Sequence, residues 1–220
     1  MSDSFEKQAA LAAASILLET NSVHFSPDEP YTFTSGRKSP VYIDCRRLIS
    51  FPRARAKLMD LGTEMILRNI GYESLDAIAG GETAGIPFAA WIAERLSLPM
   101  LYIRKKPKGF GRMAQIEGEM KEGARVLLVE DLASEGTSKI NFVNAIRAAG
   151  GQIAHTFVVF DYGIFPSIDQ VLGDAGVTLH GLTTWHEVLA LAHERGSFTP
   201  PQYQAIKSFL DDPEGWKAPA

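Results

Sequence analysis

The sequence has one cysteine, Cys45, so neither an internal disulfide nor a metal-thiolate cluster can form. A reducing compartment is the simplest home for such a chain. It has no excess of positive charge: 22 lysines and arginines against 26 acidic residues leave a net charge of -4. That balance gives no electrostatic reason to expect nucleic acid or an anionic membrane as partner, so any basic site must be local. No apolar run approaches the roughly 18 residues of a membrane span, and the N-terminal MSDSFEKQ lacks a basic targeting region. Internal repeats and low-complexity segments are missing too. The expectation is a soluble, cytoplasmic chain.

What is present can build a sizeable core. With 45% hydrophobic residues in 220, one domain with an appendage fits better than two full domains. Ser4 to Glu19 reads as a peripheral helix, followed by a polar break from Thr20 to Pro30. Tyr31 and Phe33 alternate with threonines, Ser35-Gly36-Arg37-Lys38 supplies turn chemistry and Val41 to Ile43 is extended, together suggesting a hairpin. A helix starts at Pro52 and ends near Gly71.

Beyond it the pattern repeats. Asp76–Ala79 reads as a strand, Gly80–Gly85 as a glycine-rich turn, Pro87–Leu96 as a helix and Met100–Ile103 as a strand. Val126–Val129 is an apolar strand, Leu132–Thr137 a turn, Ser138–Ala149 a helix stopped by Gly150-Gly151, and Ile153–Phe160 a further strand. Strands that are apolar throughout, separated by helices, imply a Rossmann-like parallel sheet flanked by helices, an α/β fold. Two helices close the chain, around Glu187–Arg195 and after Pro200-Pro201. The expected division is a single domain, 1–220, with a helix-plus-hairpin hood at 1–50, a core sheet at 51–185 and C-terminal helices at 186–220.

The most informative stretch is Val126 to Ser138, VLLVEDLASEGTS. Ligands of an open parallel sheet bind beyond the carboxyl ends of its strands. Glu130 and Asp131 are predicted to close the strand as adjacent carboxylates able to accept hydrogen bonds from a sugar diol, and to bear on a magnesium ion. Ser134, Gly136, Thr137 and Ser138 bring hydroxyls and backbone N–H groups to a helix start, which suits a phosphate. Together they are spaced for a ribose 5-phosphate. The plainer alternative is an ordinary turn in which Ser138 only caps the helix.

This stretch resembles the ribose-phosphate motif of type I phosphoribosyltransferases, which bind phosphoribosyl pyrophosphate (PRPP). The resemblance implies that the loop Glu130, Asp131, Leu132, Ala133, Ser134, Glu135, Gly136, Thr137 and Ser138 binds PRPP. Glu135 stands where the family more usually has a small or hydroxyl residue, and its carboxylate is expected to point away from the phosphate. Tyr102 to Gly118, YIRKKPKGFGRMAQIEG, is basic and lies between two core strands, as a lid would. It resembles the catalytic loop of orotate phosphoribosyltransferases. Arg104, Lys105 and Lys108 match the positions that reach the pyrophosphate, which implies catalytic roles, magnesium, and a homodimer with shared sites.

SGRKSPVYID, from Ser35 to Asp44, resembles the segment beside the base, which implies orotate contacts from Tyr42, Ile43 and, from the loop, Ser134. GGETAGIP, from Gly80 to Pro87, resembles the loop that meets pyrophosphate through its backbone. Thr34, Ala84 and Phe110 depart from the lysine, lysine and histidine of many members, and Tyr162 stands near a position often filled by a base-binding arginine. The implied reaction is transfer of the phosphoribosyl group from PRPP to orotate. A phosphoribosyltransferase for another base and a non-catalytic PRPP sensor remain as alternatives.

Overall fold

The computed structural model describes residues 4–33, 36–109, 115–134 and 136–218. Helix α1 (Ser4–Glu19) leads into a short strand β1 (Val23–Phe25), then β2 (Tyr31–Thr32), β3 (Lys38–Ser39), β4 (Val41–Ile43) and a 3-10 helix, Cys45–Ser50. Helix α2 (Pro52–Asn69) follows, with Pro52 in its first turn, where the missing N–H costs nothing. The core is then β5 (Ala77–Gly81), α3 (Gly85–Leu96), β6 (Met100–Ile103), β7 (Ile116–Glu117), β8 (Arg125–Ala133), α4 (Thr137–Ala148), β9 (Gln152–Asp161), α5 (Ser167–Asp174) and β10 (Thr178–Thr184). Helices α6 (Trp185–Glu194) and α7 (Pro200–Asp211) close the chain, each opened by a capping box, Thr184 with Glu187 and Thr199 with Gln202. Among the described residues no helix is long and apolar enough to cross a membrane.

Six strands form the central sheet in the order β10-β9-β8-β5-β6-β7, all pairs parallel except β6 with β7. Residues along β8 alternate between two cores: Leu127 and Val129 pack with α1, α2 and α3, whereas Val126 and Leu128 pack with α4 and α5. Both faces are thus covered, as the continuous apolar runs predict. The chain winds outward in opposite directions from β5 and β8, so the crevice at their carboxyl ends is the switch point where ligands bind in such sheets.

Two expectations are corrected. Val41–Ile43 does not pair with the Tyr31 strand; β2 pairs with β3, and β4 pairs with β1, which lies inside the segment read as a polar break. Val-His-Phe is too short to show a period, yet Val23 is buried and Phe25 packs edge-on against Phe198 and Trp185. The strand read as Val126–Val129 runs on to Ala133, because β9 continues to pair with it through Leu132 and Ala133. Glu130 and Asp131 therefore lie within a strand rather than at its end.

On β9 and β10, His155 and His180 meet, Nδ1 to Nε2, at 3.1 Å. Burial, then the neighbouring His155, pulls His180 down to about 4, and burial lowers His155 as well. Between pH 6.5 and about 4 the unfolded chain takes up a proton that the folded chain refuses, so stability falls as pH falls through that window. His180 is expected to cost about 2 kcal/mol at pH 5 relative to pH 7. Urea unfolding of the parent and of His180→Gln at both pH values checks this: the variant should show a smaller loss on acidification.

Candidate active site

The extension of β8 sets the geometry. Successive side chains of a strand face opposite ways, so the two carboxylates diverge. Glu130 turns toward α4, where Lys139 Nζ donates to its Oε2 at 2.6 Å and to the Leu132 carbonyl at 2.7 Å. Both members of this ion pair are buried. Asp131 turns to the other face; burial, and then the Glu130 charge, raises its pKa. The acids are not an equivalent pair, as the sequence had suggested: both line the smaller of two cavities here, but Glu130 is held in an ion pair by Lys139 and Asp131 alone of the two also lines the larger cavity.

Two cavities open at this switch point. The smaller, about 350 Å³, is lined by Glu82, Thr83 and Ala84 after β5, by Lys105 after β6, and by Ser138 and Asn141 at the start of α4. The larger, about 650 Å³, is lined by Phe33, Tyr42, Ile43, Cys45 and Ser134, with Tyr162 and Phe165 after β9. Three residues line both: Arg46, Asp131 and Leu132. Sizes of this order suit small ligands.

Close approach of the backbone is built in. A Cβ at Gly85 would lie 2.4 Å from the Val129 carbonyl oxygen, so only glycine lets α3 start against β8. Gly136, at φ 81°, turns the chain from β8 into α4, whose N-terminal dipole faces the loop from Ser134.

The site residues expected from the sequence separate into groups. Lys105, Glu130, Asp131, Leu132, Ser134 and Ser138 line the cavities, as do Tyr42 and Ile43. Lys105 is anchored through its backbone N–H, which donates to Glu82 Oε2 at 2.7 Å. Arg104 lines neither cavity; its guanidinium lies 3.4 Å from Glu117 and its backbone N–H donates to the Gln115 carbonyl. Lys108 is exposed and also lines neither. Ala133 is fully buried and its carbonyl accepts from the Tyr162 N–H. Glu135, Thr34, Ser35 and Phe110 fall outside the described residues.

Sequence reasoning missed Arg46, Asn141 and Phe165, and gave Arg37 and Glu82 no role. The signal for Arg46 was DCRR directly after the tyrosine-isoleucine pair, where charge follows a buried strand.

The phosphoribosyl transferase domain profile matches residues 56–164. The orotate phosphoribosyltransferase of Dinoroseobacter shibae is 57% identical over 217 residues, covering 98% of this chain and 96% of that one. That of Roseobacter denitrificans is 55% identical over 211 residues, covering 96% and 94%. Among solved structures, the orotate phosphoribosyltransferase of Aeropyrum pernix superposes with a TM-score of 0.71 at 31% identity, covering 84% of this chain and 99% of that one. The UMP synthase of Leishmania donovani gives a TM-score of 0.76 at 28% identity; the match covers 91% of this chain and 42% of that longer protein. With its two adjoining cavities at the switch point of a parallel sheet and relatives of this closeness along nearly its whole length, the chain belongs to the orotate phosphoribosyltransferase family.

Proposed function

We infer that the chain transfers the 5-phosphoribosyl group of PRPP to orotate, giving orotidine 5'-phosphate and pyrophosphate, a step in making UMP. The observation that carries this reading is the pair of cavities joined at Arg46, Asp131 and Leu132. A transfer reaction needs donor and acceptor held side by side with the reacting atom between them. The smaller cavity takes the pyrophosphate end, beside Lys105. The loop from Ser134 to Ser138 takes the 5-phosphate, Asp131 a ribose hydroxyl, and the aromatic larger cavity takes the base.

A ring nitrogen of orotate forms the new bond to C1 and gives up its proton, while pyrophosphate departs with the electron pair of the bond it breaks and, as the oxyanion released, takes up that proton. The transition state is oxocarbenium-like, so catalysis consists of alignment and of neutralising the leaving group, the role of Lys105 with Arg104 and Lys108. Arg104 and Lys108 would act from the basic loop closing over the site of a second copy.

Among the described residues no group of three or more His, Cys, Asp or Glu could hold a metal, and Glu130 is committed to Lys139. This donor set fits magnesium that arrives on phosphate oxygens and takes at most one carboxylate, Asp131, from the protein. Bound so, the ion supplies charge neutralisation at the pyrophosphate. The chain works as one cytoplasmic unit: hood 1–50, core 51–185 and C-terminal helices 186–220.

The test is to mix protein, PRPP, magnesium and orotate and to follow orotate absorbance, with uracil, hypoxanthine and adenine in parallel. Loss of orotate absorbance that requires PRPP is the expected result. Consumption of another base instead, or PRPP binding with no turnover, would overturn the reading.

A further inference from the structure

The smaller cavity poses a charge problem. Three carboxylates line it, Glu82, Glu130 and Asp131, against two cations, Arg46 and Lys105. Pyrophosphate, the group assigned to this cavity, is itself an anion. Glu130 is answered by Lys139, buried beside it at 2.6 Å. Asp131 shares the junction of the two cavities with Arg46. The Glu82 carboxylate is engaged in a different way, by a backbone N–H of the basic loop.

Glu82 is the first residue after β5, and its backbone N–H donates to the Ile103 carbonyl at 2.9 Å, carrying the β5–β6 ladder one bond past the strand. Its side chain reaches farther along the same neighbour, where Oε2 accepts the Lys105 N–H at 2.7 Å. Arg104 is tied to the opposite limb: its N–H donates to the Gln115 carbonyl at 2.8 Å, and its carbonyl accepts from Gln115 Nε2 at 3.1 Å. The stem of the basic loop is thus held from two sides at successive residues, and the second of them lines the smaller cavity. Bonds to an ionised acceptor are stronger than those to a neutral one, which suits a carboxylate to this task. Glu82 and Lys105 belong to different strand-end loops, yet one bond joins them on the wall of one cavity.

We propose that Glu82 is a positioning residue of the transfer reaction: by holding the Lys105 N–H it fixes the stem of the basic loop so that the Lys105 ammonium stands where pyrophosphate departs. This rests on the proposed transfer and on the placing of pyrophosphate in the smaller cavity. A cation already in position stabilises the leaving group without reorganisation, whereas a loose stem has to be ordered first. A carboxylate that merely stood in this cavity would repel pyrophosphate, so the two roles predict opposite signs when the carboxylate is removed.

Steady-state kinetics of the full-length parent, Glu82→Ala, Glu82→Gln, Lys105→Ala and the Glu82→Ala, Lys105→Ala double variant test it, beside thermal unfolding of each sample. Glu82→Ala should lower kcat on the order of 10-fold, with orotate KM within about twofold of the parent, since Glu82 does not line the larger cavity. Glu82→Gln, whose amide oxygen still accepts the bond, should keep at least about half of the parental kcat. In the Lys105→Ala background, Glu82→Ala should cost less than about twofold, because the group it positions is gone. A Glu82→Ala kcat above the parent's or within about twofold of it would overturn the proposal. So would an equal loss in both backgrounds, or a glutamine variant as slow as the alanine one. If Glu82→Ala does not fold, Glu82→Asp, whose carboxylate stops a methylene short of that N–H, takes its place under the same limits. A parent enzyme that consumes no orotate would instead remove the proposed function, which separates the two failures.

Discussion

Lys105→Ala will lower kcat by about 10²–10³-fold while the protein stays folded. The side chain lines the cavity assigned to pyrophosphate, with Asp131 and Ser138 on its other walls. Charge that develops on a departing pyrophosphate is stabilised most by a cation already in position, because no reorganisation is needed when the bond breaks. Lys105 has such support: its backbone N–H is held by the Glu82 carboxylate. Its own side chain is exposed and takes no part in the core. Steady-state kinetics with both substrates saturating, beside thermal unfolding of the same samples, would check this. A kcat within about threefold of the parent would remove Lys105 from the neutralising role.

Lys139→Ala is expected to destabilise the fold by about 3–5 kcal/mol, the usual consequence of stripping one partner from a buried ion pair. Lys139 is 2% exposed and Glu130 8% exposed, so water cannot replace the lost ammonium. The Leu132 carbonyl would lose its donor in the same step. Removing both charges is different in kind: Glu130→Gln with Lys139→Met leaves no unpaired charge and should recover most of the loss. Urea unfolding of the single and double variants gives the comparison. A single variant as stable as the parent would show that the pair contributes nothing to the fold.

Much of this architecture was legible in the sequence because parallel strands buried on both faces must be apolar throughout. Ile78, Leu127, Leu128 and Val158 announce the sheet in this way, and the glycines after β5 and β8 announce the tight turns. Strand β10 was not legible: Thr-Leu-His-Gly-Leu-Thr-Thr sits at the sheet edge and carries polar residues at several positions, so no apolar run marks it. Helix α5, with eight residues, is too short for a clear period. The extension of β8 through Glu130 and Asp131 was hidden for another reason. Its pairing is supplied by β9, some thirty residues away, and no local pattern reports that.

The site divides along the same line. Lys105, Asp131, Ser134 and Ser138 sit in or beside core loops whose position follows from the strands, so their sequence context sufficed. Arg37 and Arg46 reach the site only because the hood folds over the carboxyl end of the sheet. That is a long-range outcome. The division of labour between Glu130 and Asp131 also required the structure, since two adjacent acids read alike until Lys139 is seen beneath one of them.

The one thiol of the chain lies on the wall of the larger cavity, fully buried, and burial and two nearby carboxylates push its pKa up. Thiolates, not thiols, react with oxidants and alkylating agents. Cys45 is therefore chemically silent while the hood is seated, and its reactivity becomes a clock for how often that hood lifts away from the sheet.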